Sequence, residues 1–297
     1  MGALLSLASQ KSIIDLINEQ QKLFFISNEI VITSRNYLFV AFRRIFDSTK
    51  KQLLDNKKCF ALKLIKFQSE SNIKNFEREM KVLDQLSEFP QIIKYEDKIK
   101  VVLNGINYLL LSMKYYSHTD LFTYLWKEVN DFDEDIIKKI AFQSLKILIL
   151  LKSRNVVHND FKFENFIIET TDPFKIILTD FESSQIIQPN GKSEIYTGTP
   201  IYKAPEVLRK EPHDYAADIW SLGANLYTTV FGKYPFQIVI GDTDEIIQQK
   251  IQNNPLENID GIASEDCWEC ITKMLILDQN ERITAEDALH LKWFENE

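Results

Sequence analysis

The chain has 297 residues, with 45% hydrophobic and 26% charged residues and a formal net charge of −8. That length can hold one large domain or two packed lobes, and the composition is ordinary for a soluble globular protein. The acidic balance argues against nucleic-acid partners, which select a basic face, and no stretch reaches the roughly eighteen apolar residues of a membrane span.

Three cysteines, Cys59, Cys267 and Cys270, are too few for a disulfide framework, and no secretory signal opens the chain, so a cytoplasmic location is expected. The start, Met1-Gly2-Ala3-Leu4-Leu5-Ser6, fits the pattern for N-myristoylation. Membrane contact is expected only if Gly2 is acylated, and would then be weak, because one acyl chain binds marginally. Ser12–Leu23 has helical spacing, which makes residues 1–27 an N-terminal helical extension before a domain spanning 28–297.

Glu29–Thr33, Tyr37–Phe46 and Lys57–Phe67 read as strands, with the polar run Ser48–Asn56 as a connection. Alternation in the third strand puts Cys59, Ala61 and Lys63 on one face. A lysine beside small apolar residues faces inward and needs an anion, or else snorkels to water from an edge. Asn72–Ser87 has Phe76, Met80 and Leu83 at helical spacing, with Glu79 beside that stripe. A carboxylate there needs a partner, and Lys63 is the natural one. Two strands follow, Ile92–Val102 and Asn107–Met113, then a helical pattern after Asp120 and a long helix over Asp131–Ser153.

The centre of the chain is Val156–Ile168, reading V-V-H-N-D-F-K-F-E-N-F-I-I. Short apolar ends bracket a polar loop that offers a carboxylate (Asp160), an ammonium (Lys162) and an amide (Asn165). The set suits phosphoryl transfer: Asp160 can accept a hydroxyl proton, Lys162 can offset charge and Asn165 can hold a metal. The plainer alternative is a hydrogen-bonded turn, which Asp and Asn both favour. His158, so near Asp160, reads as a structural loop histidine. Lys175–Thr179 forms a strand running into Asp180, and Asp218–Phe231 and Glu265–Leu277 are helices. Cys267-Trp268-Glu269-Cys270 has metal-ligand spacing, but without a second pair it reads as part of a helix core.

Asp180-Phe181-Glu182, Gly198-Thr199-Pro200, Ala204-Pro205-Glu206, Asp218-Ile219-Trp220-Ser221-Leu222-Gly223 and Arg282 follow the central loop in that order. Together with Lys63 and Glu79, the series resembles the eukaryotic protein kinase family. The resemblance implies an α+β, two-lobed protein-kinase-like fold, with a small β-rich N-lobe at about 28–114 and a larger, mainly helical C-lobe at about 115–297. It implies ATP and Mg2+ as cofactors and a protein as substrate. Lys63 would bind the phosphates and pair with Glu79, and Val40, Ala61, Met113, Tyr115 and Asp120 would meet the rest of the nucleotide. The segment from Met113 to Tyr116 would be the hinge at the adenine, and Asp120 would sit near the ribose. Asp160 would deprotonate the substrate hydroxyl, Lys162 would lie near the γ-phosphate, and Asn165 and Asp180 would hold magnesium. Glu206 and Arg282 would form a structural ion pair, and Asp218 would brace the central loop. Lys162 with Thr199 matches the serine/threonine branch, and Asp120 and Glu164 match acidic positions that favour basic residues before a target site.

Three departures bear on activity. Thr33, Arg35 and Leu38 stand where the family's phosphate loop has glycines, so backbone N–H groups lose their close approach to phosphate, at a cost on the order of 1–3 kcal/mol in nucleotide binding. Asn159 replaces the arginine that receives an activation-loop phosphate, so a loop held by packing is expected, with Ser193, Tyr196 and Thr197 as sites that could still be phosphorylated. Glu182 replaces the glycine after Asp180-Phe181, stiffening that turn and bringing a second carboxylate near the metal. The expected function is transfer of the ATP γ-phosphate to protein serine or threonine; the alternative is an impaired pseudokinase acting as a binding module.

Overall fold

The computed structural model describes residues 24–32, 37–47, 52–66, 70–116, 118–127, 133–295 and 297. The expected N-terminal helix, the acylation motif, Thr33 and Arg35 lie outside the described residues. The chain divides into two compact units, one ending at Glu77 and resuming over Ile93–Ser117, the other made of Arg78–Ile92 and His118–Glu297.

The first unit is an antiparallel sheet of β1 (Phe24–Ile32), β2 (Tyr37–Asp47), β3 (Gln52–Lys66), β4 (Tyr95–Leu103) and β5 (Ile106–Lys114), in the order β1-β2-β3-β5-β4. Asn104 and Gly105, at φ 49° and 76°, make the tight turn between β4 and β5, and a left-handed pair of this kind matches the twist of the flanking strands. β5 lies between β3 and β4 and is buried throughout Leu109–Met113. Two expectations are corrected here. β1 opens at Phe24, ahead of the Glu29 start expected for the first strand, and Gln52–Asn56 is strand where a connection was expected. Leu53 and Leu54 pair with Phe46 and Ile45, and ladder pairing satisfies the backbone whatever the polarity of neighbouring side chains.

Helix α1 (Glu70–Gln85) buries Glu79, Met80, Val82 and Leu83 and crosses from one unit to the other. In the second unit, α2 (Leu121–Lys127) is followed by α3 (Glu134–Ser153), which starts later than Asp131 because Asp133 caps it. The Asp133 carboxylate accepts from the N–H groups of Asp135 at 3.0 Å and Ile136 at 3.3 Å. Short strands β6 (Val156–Val157) and β9 (Gln185–Ile186) pair with each other, as do β7 (Phe166–Thr171) and β8 (Phe174–Leu178). The rest is helical: α4 (Pro205–Leu208), α5 (Ala216–Phe231), α6 (Asp244–Asn253), α7 (Glu265–Met274) and α8 (Ala285–Ala288).

Helix α5 is buried almost all round, which makes it the post on which the second unit is built. Its Gly223 lets α7 approach: a Cβ there would come to 2.7 Å from the Met274 Cβ and 3.1 Å from the Leu275 Cγ. Gly223→Ala is expected to lower stability by about 1–3 kcal/mol despite the better helix propensity of alanine. A denaturation midpoint equal to or above that of the native chain would contradict so close an approach. Cys267 and Cys270 are buried free thiols whose ionisation burial opposes, so both serve the core of α7. No helix among the described residues is long and apolar enough to cross a membrane.

Candidate active site

The loop between β6 and β7 is held from below by α5. The carboxylate of Asp218 accepts from the backbone N–H of His158 at 2.7 Å and of Asn159 at 2.9 Å. Asn225 lies two turns further along the same helix face. Its side chain accepts from the N–H of Phe163 at 3.1 Å and donates to the carbonyl of Phe161 at 3.3 Å. The loop backbone is therefore fixed at both ends by one rigid helix. Burial pushes the Asp218 carboxyl up to about 7, against the two N–H donors that favour its charged form. A carboxyl raised in the folded state stabilises at low pH, and that contribution is lost as pH rises from its unfolded value through about 7. The native chain should accordingly lose stability relative to Asp218→Asn across that interval; parallel pH curves would show that the donors keep it ionised throughout.

Within this frame Asp160 and Lys162 meet. Lys162 Nζ lies 3.2 Å from Asp160 Oδ2 and donates to Thr199 Oγ1 at 2.6 Å. Thr199 in turn gives Asp160 Oδ1 two hydrogen bonds, from its N–H at 2.9 Å and its hydroxyl at 2.8 Å. Burial alone would raise the Asp160 carboxyl, but Lys162 and Thr199 outweigh it and hold the group below its usual range. Gly198, at φ 118°, sits where a Cβ would be 2.5 Å from the carbonyl oxygen of Asn159, so only glycine lets Thr199 reach Asp160 by this path. Asn165 Nδ2 donates to the carbonyl of Asp160 at 2.9 Å, which turns the amide oxygen away from that carbonyl. The Asn165 carbonyl accepts from both the N–H and the hydroxyl of Thr179 at 2.8 Å, tying the loop to the residue before Asp180.

Asp180 adopts φ 56°, a left-handed conformation that Asp tolerates, and Phe181 behind it is fully buried. The His158 ring lies edge-on to Phe161 and Phe181, with centroids 5.8 and 5.1 Å away, and burial lowers its pKa. Its Nδ1 also accepts from the Asp160 N–H at 3.3 Å, so it is a structural histidine of the loop. The Glu182 carbonyl accepts from an Arg78 guanidinium N–H at 2.8 Å, a tie between α1 and this turn that the sequence did not disclose.

In the first unit, Val40 pairs with Ala61 and Ala61 with Met113, so three of the expected nucleotide residues stand in one register line across β2, β3 and β5. Lys63 is two residues beyond Ala61, on the same face by alternation. Tyr115 follows directly on β5. Glu79, on α1, belongs to the second unit. Asp120 caps α2, accepting from the Thr123 N–H at 2.8 Å and the Thr123 hydroxyl at 2.7 Å. Beyond the residues named from the sequence, the structure adds Asn225 and Arg78 as side chains that shape the site, and it gives Thr199 its bonds to Asp160.

Comparison with known proteins points to a family. The family described as protein kinase domain matches residues 48–294. The chain is 32% identical over 206 residues to the serine/threonine-protein kinase ATG1b of Arabidopsis thaliana, which covers 68% of this chain and 28% of that protein. It is 30% identical over 236 residues to the serine/threonine-protein kinase ppk25 of Schizosaccharomyces pombe, covering 78% of this chain and 53% of that protein. The chain thus spans about a quarter and about half of those relatives' lengths. Members of the family generally use ATP and Mg2+ and act on proteins. With a family match over most of its length and the loop geometry above, the chain belongs to the protein kinase family.

Proposed function

We propose that this chain transfers the γ-phosphate of ATP to serine or threonine hydroxyls of a protein substrate. The observation that carries the reading is the Asp160 carboxylate, kept ionised and aimed by Lys162 and Thr199 on a loop clamped to α5. An ionised, positioned carboxylate can take the proton of an incoming hydroxyl as its oxygen bonds to phosphorus and the bond to ADP breaks. Lys162 lies beside it, where its charge can offset that on the moving phosphoryl group. Lys162 with Thr199 matches the serine/threonine branch to which both relatives belong, which supports an aliphatic hydroxyl as acceptor.

The donor atoms fit magnesium. Among the described residues no group of three His, Cys, Asp or Glu could hold a metal, and Mg2+ is commonly bound through one or two oxygen ligands plus waters and phosphates. Asn165, through its amide oxygen, and Asp180 would hold the ion, which when bound supplies charge neutralisation at the phosphate oxygens. Lys63, with Glu79 as its partner, would serve the phosphates; Val40, Ala61, Met113 and Tyr115 the adenine; and Asp120, whose carboxylate keeps accepting capacity beyond its two bonds from Thr123, the ribose.

Incubation with labelled ATP-Mg and a mixed protein substrate, followed by phosphoamino-acid analysis, tests the assignment. Label on serine and threonine is expected. Label on tyrosine would overturn the residue class, and no label with ATP still bound would leave a nucleotide-binding module.

A further inference from the structure

Asn159 sits at the meeting point of three separate stretches of chain. Its Nδ2 donates to the carbonyl of Ser183 at 3.0 Å, just past the Asp180 turn, and lies 3.5 Å from Ser193 Oγ. Its Oδ1 receives the Nε2–H of His213 at 2.7 Å, from beyond α4. An amide oxygen only accepts, so Nε2 carries a proton, while Nδ1 lies 3.3 Å from the Glu211 carbonyl. His213 in turn exchanges two backbone hydrogen bonds with Ser193, at 2.6 and 3.1 Å. The Ser193 hydroxyl donates to Gln185 Oε1 at 2.9 Å and accepts from the Ile195 N–H at 3.2 Å. Asn159 itself stands at φ 64°, which asparagine accepts more readily than most residues.

This set joins the start, middle and far side of the segment between Asp180 and α4 to the residue next to Asp160. Both Ser193 and His213 are fully buried. Around His213 stand the Glu211 carbonyl, Glu206, Asp214, Lys192 and the ring of Tyr196, and burial lowers the imidazole pKa against that carbonyl and the carboxylates. No group in the set calls for an added phosphate, and the Ser193 hydroxyl could be modified only after the set had opened.

We infer that His213 is a positioning residue which, through Asn159, holds the segment carrying Thr199 in its working arrangement without phosphorylation. The inference rests on the kinase reading, because the arrangement that His213 maintains is the one around Asp160. Thr197, the exposed hydroxyl of this stretch, is not required by it.

The test compares the phosphatase-treated native chain with His213→Phe, His213→Gln and Thr197→Ala. Transfer rates and amide hydrogen exchange over residues 183–197 are read on each. His213→Gln keeps a donor for Asn159; His213→Phe keeps bulk and loses the donor. The native chain and Thr197→Ala should stay active after phosphatase. His213→Phe should lose kcat about tenfold, the size expected for one buried hydrogen bond, with KM for ATP unchanged and protection of Ser193 and Ile195 reduced. His213→Gln should restore both. Unchanged exchange and kcat in His213→Phe, or loss of native activity on phosphatase treatment, would overturn the inference. If the native chain transfers nothing, the kinase reading fails, and the exchange data still decide whether His213 holds the segment. If His213→Phe does not fold, Asn159→Asp, which keeps the acceptor for His213 but not the donor to Ser183, should show the same loss of protection; normal protection there would count against the inference.

Discussion

Asp160→Asn should lower phosphoryl transfer by about 100- to 10,000-fold, the range for removing a general base, while leaving the fold intact. The replacement has the same shape, and its amide oxygen can still accept from the Thr199 N–H, which now lies 2.9 Å from Oδ1. What is lost is the negative charge that faces Lys162 Nζ at 3.2 Å and the lone pair that would take the proton. Because Lys162 and Thr199 outweigh burial and hold the carboxyl below its usual range, Asp160 should not itself produce a fall in activity between about pH 6 and 8. The stability it contributes is present above its unfolded value and is lost only as pH falls through the lower folded one. Rates measured across pH on both proteins check this. A variant within a few-fold of the native rate would remove Asp160 from the chemistry.

Arg282→Met carries the largest expected cost in stability. Arg282 and Glu206 form a two-pronged pair at 2.7 and 3.0 Å, with both side chains essentially inaccessible. The same guanidinium donates to the carbonyls of Ala216 at 2.7 Å and Ile276 at 3.0 Å and lies 5.1 Å from the Trp220 ring centroid. It therefore fastens α4, which follows the segment carrying Thr199, to the start of α5 and the end of α7. Removing one partner leaves a buried charge uncompensated, at about 3–5 kcal/mol. A double replacement, Glu206→Leu with Arg282→Met, should cost less than Arg282→Met alone, because it leaves no such charge. Denaturant unfolding of the three proteins decides it. A single variant as stable as the native chain would mean that the carboxylate finds another partner.

Much of the site was legible because its residues are close in sequence. Asp160, Lys162 and Asn165 lie on one short loop, and two apolar strand ends announce where that loop begins and stops. Glu206 with Arg282, and Asp218 with the central loop, followed from the resemblance, and the structure joins both pairs. Asn225 was missed, although its spacing of seven from Asp218 places it on the same face of α5. His213 had no local signal. It meets Asn159 across 54 residues of chain, and a lone histidine after a proline does not show its partner. The start of β3 at Gln52 was hidden for another reason: a polar strand pairs through its backbone, which apolar periodicity does not report.

The most direct measurement is transfer of labelled γ-phosphate from ATP-Mg to a general protein substrate by the native chain beside Asp160→Asn. Label is expected in the substrate with the native chain, with near-complete loss in the variant. Equal transfer by both proteins would contradict the assignment of Asp160. No transfer by the native chain, in a preparation whose melting temperature rises with ATP, would contradict the assignment of kinase activity.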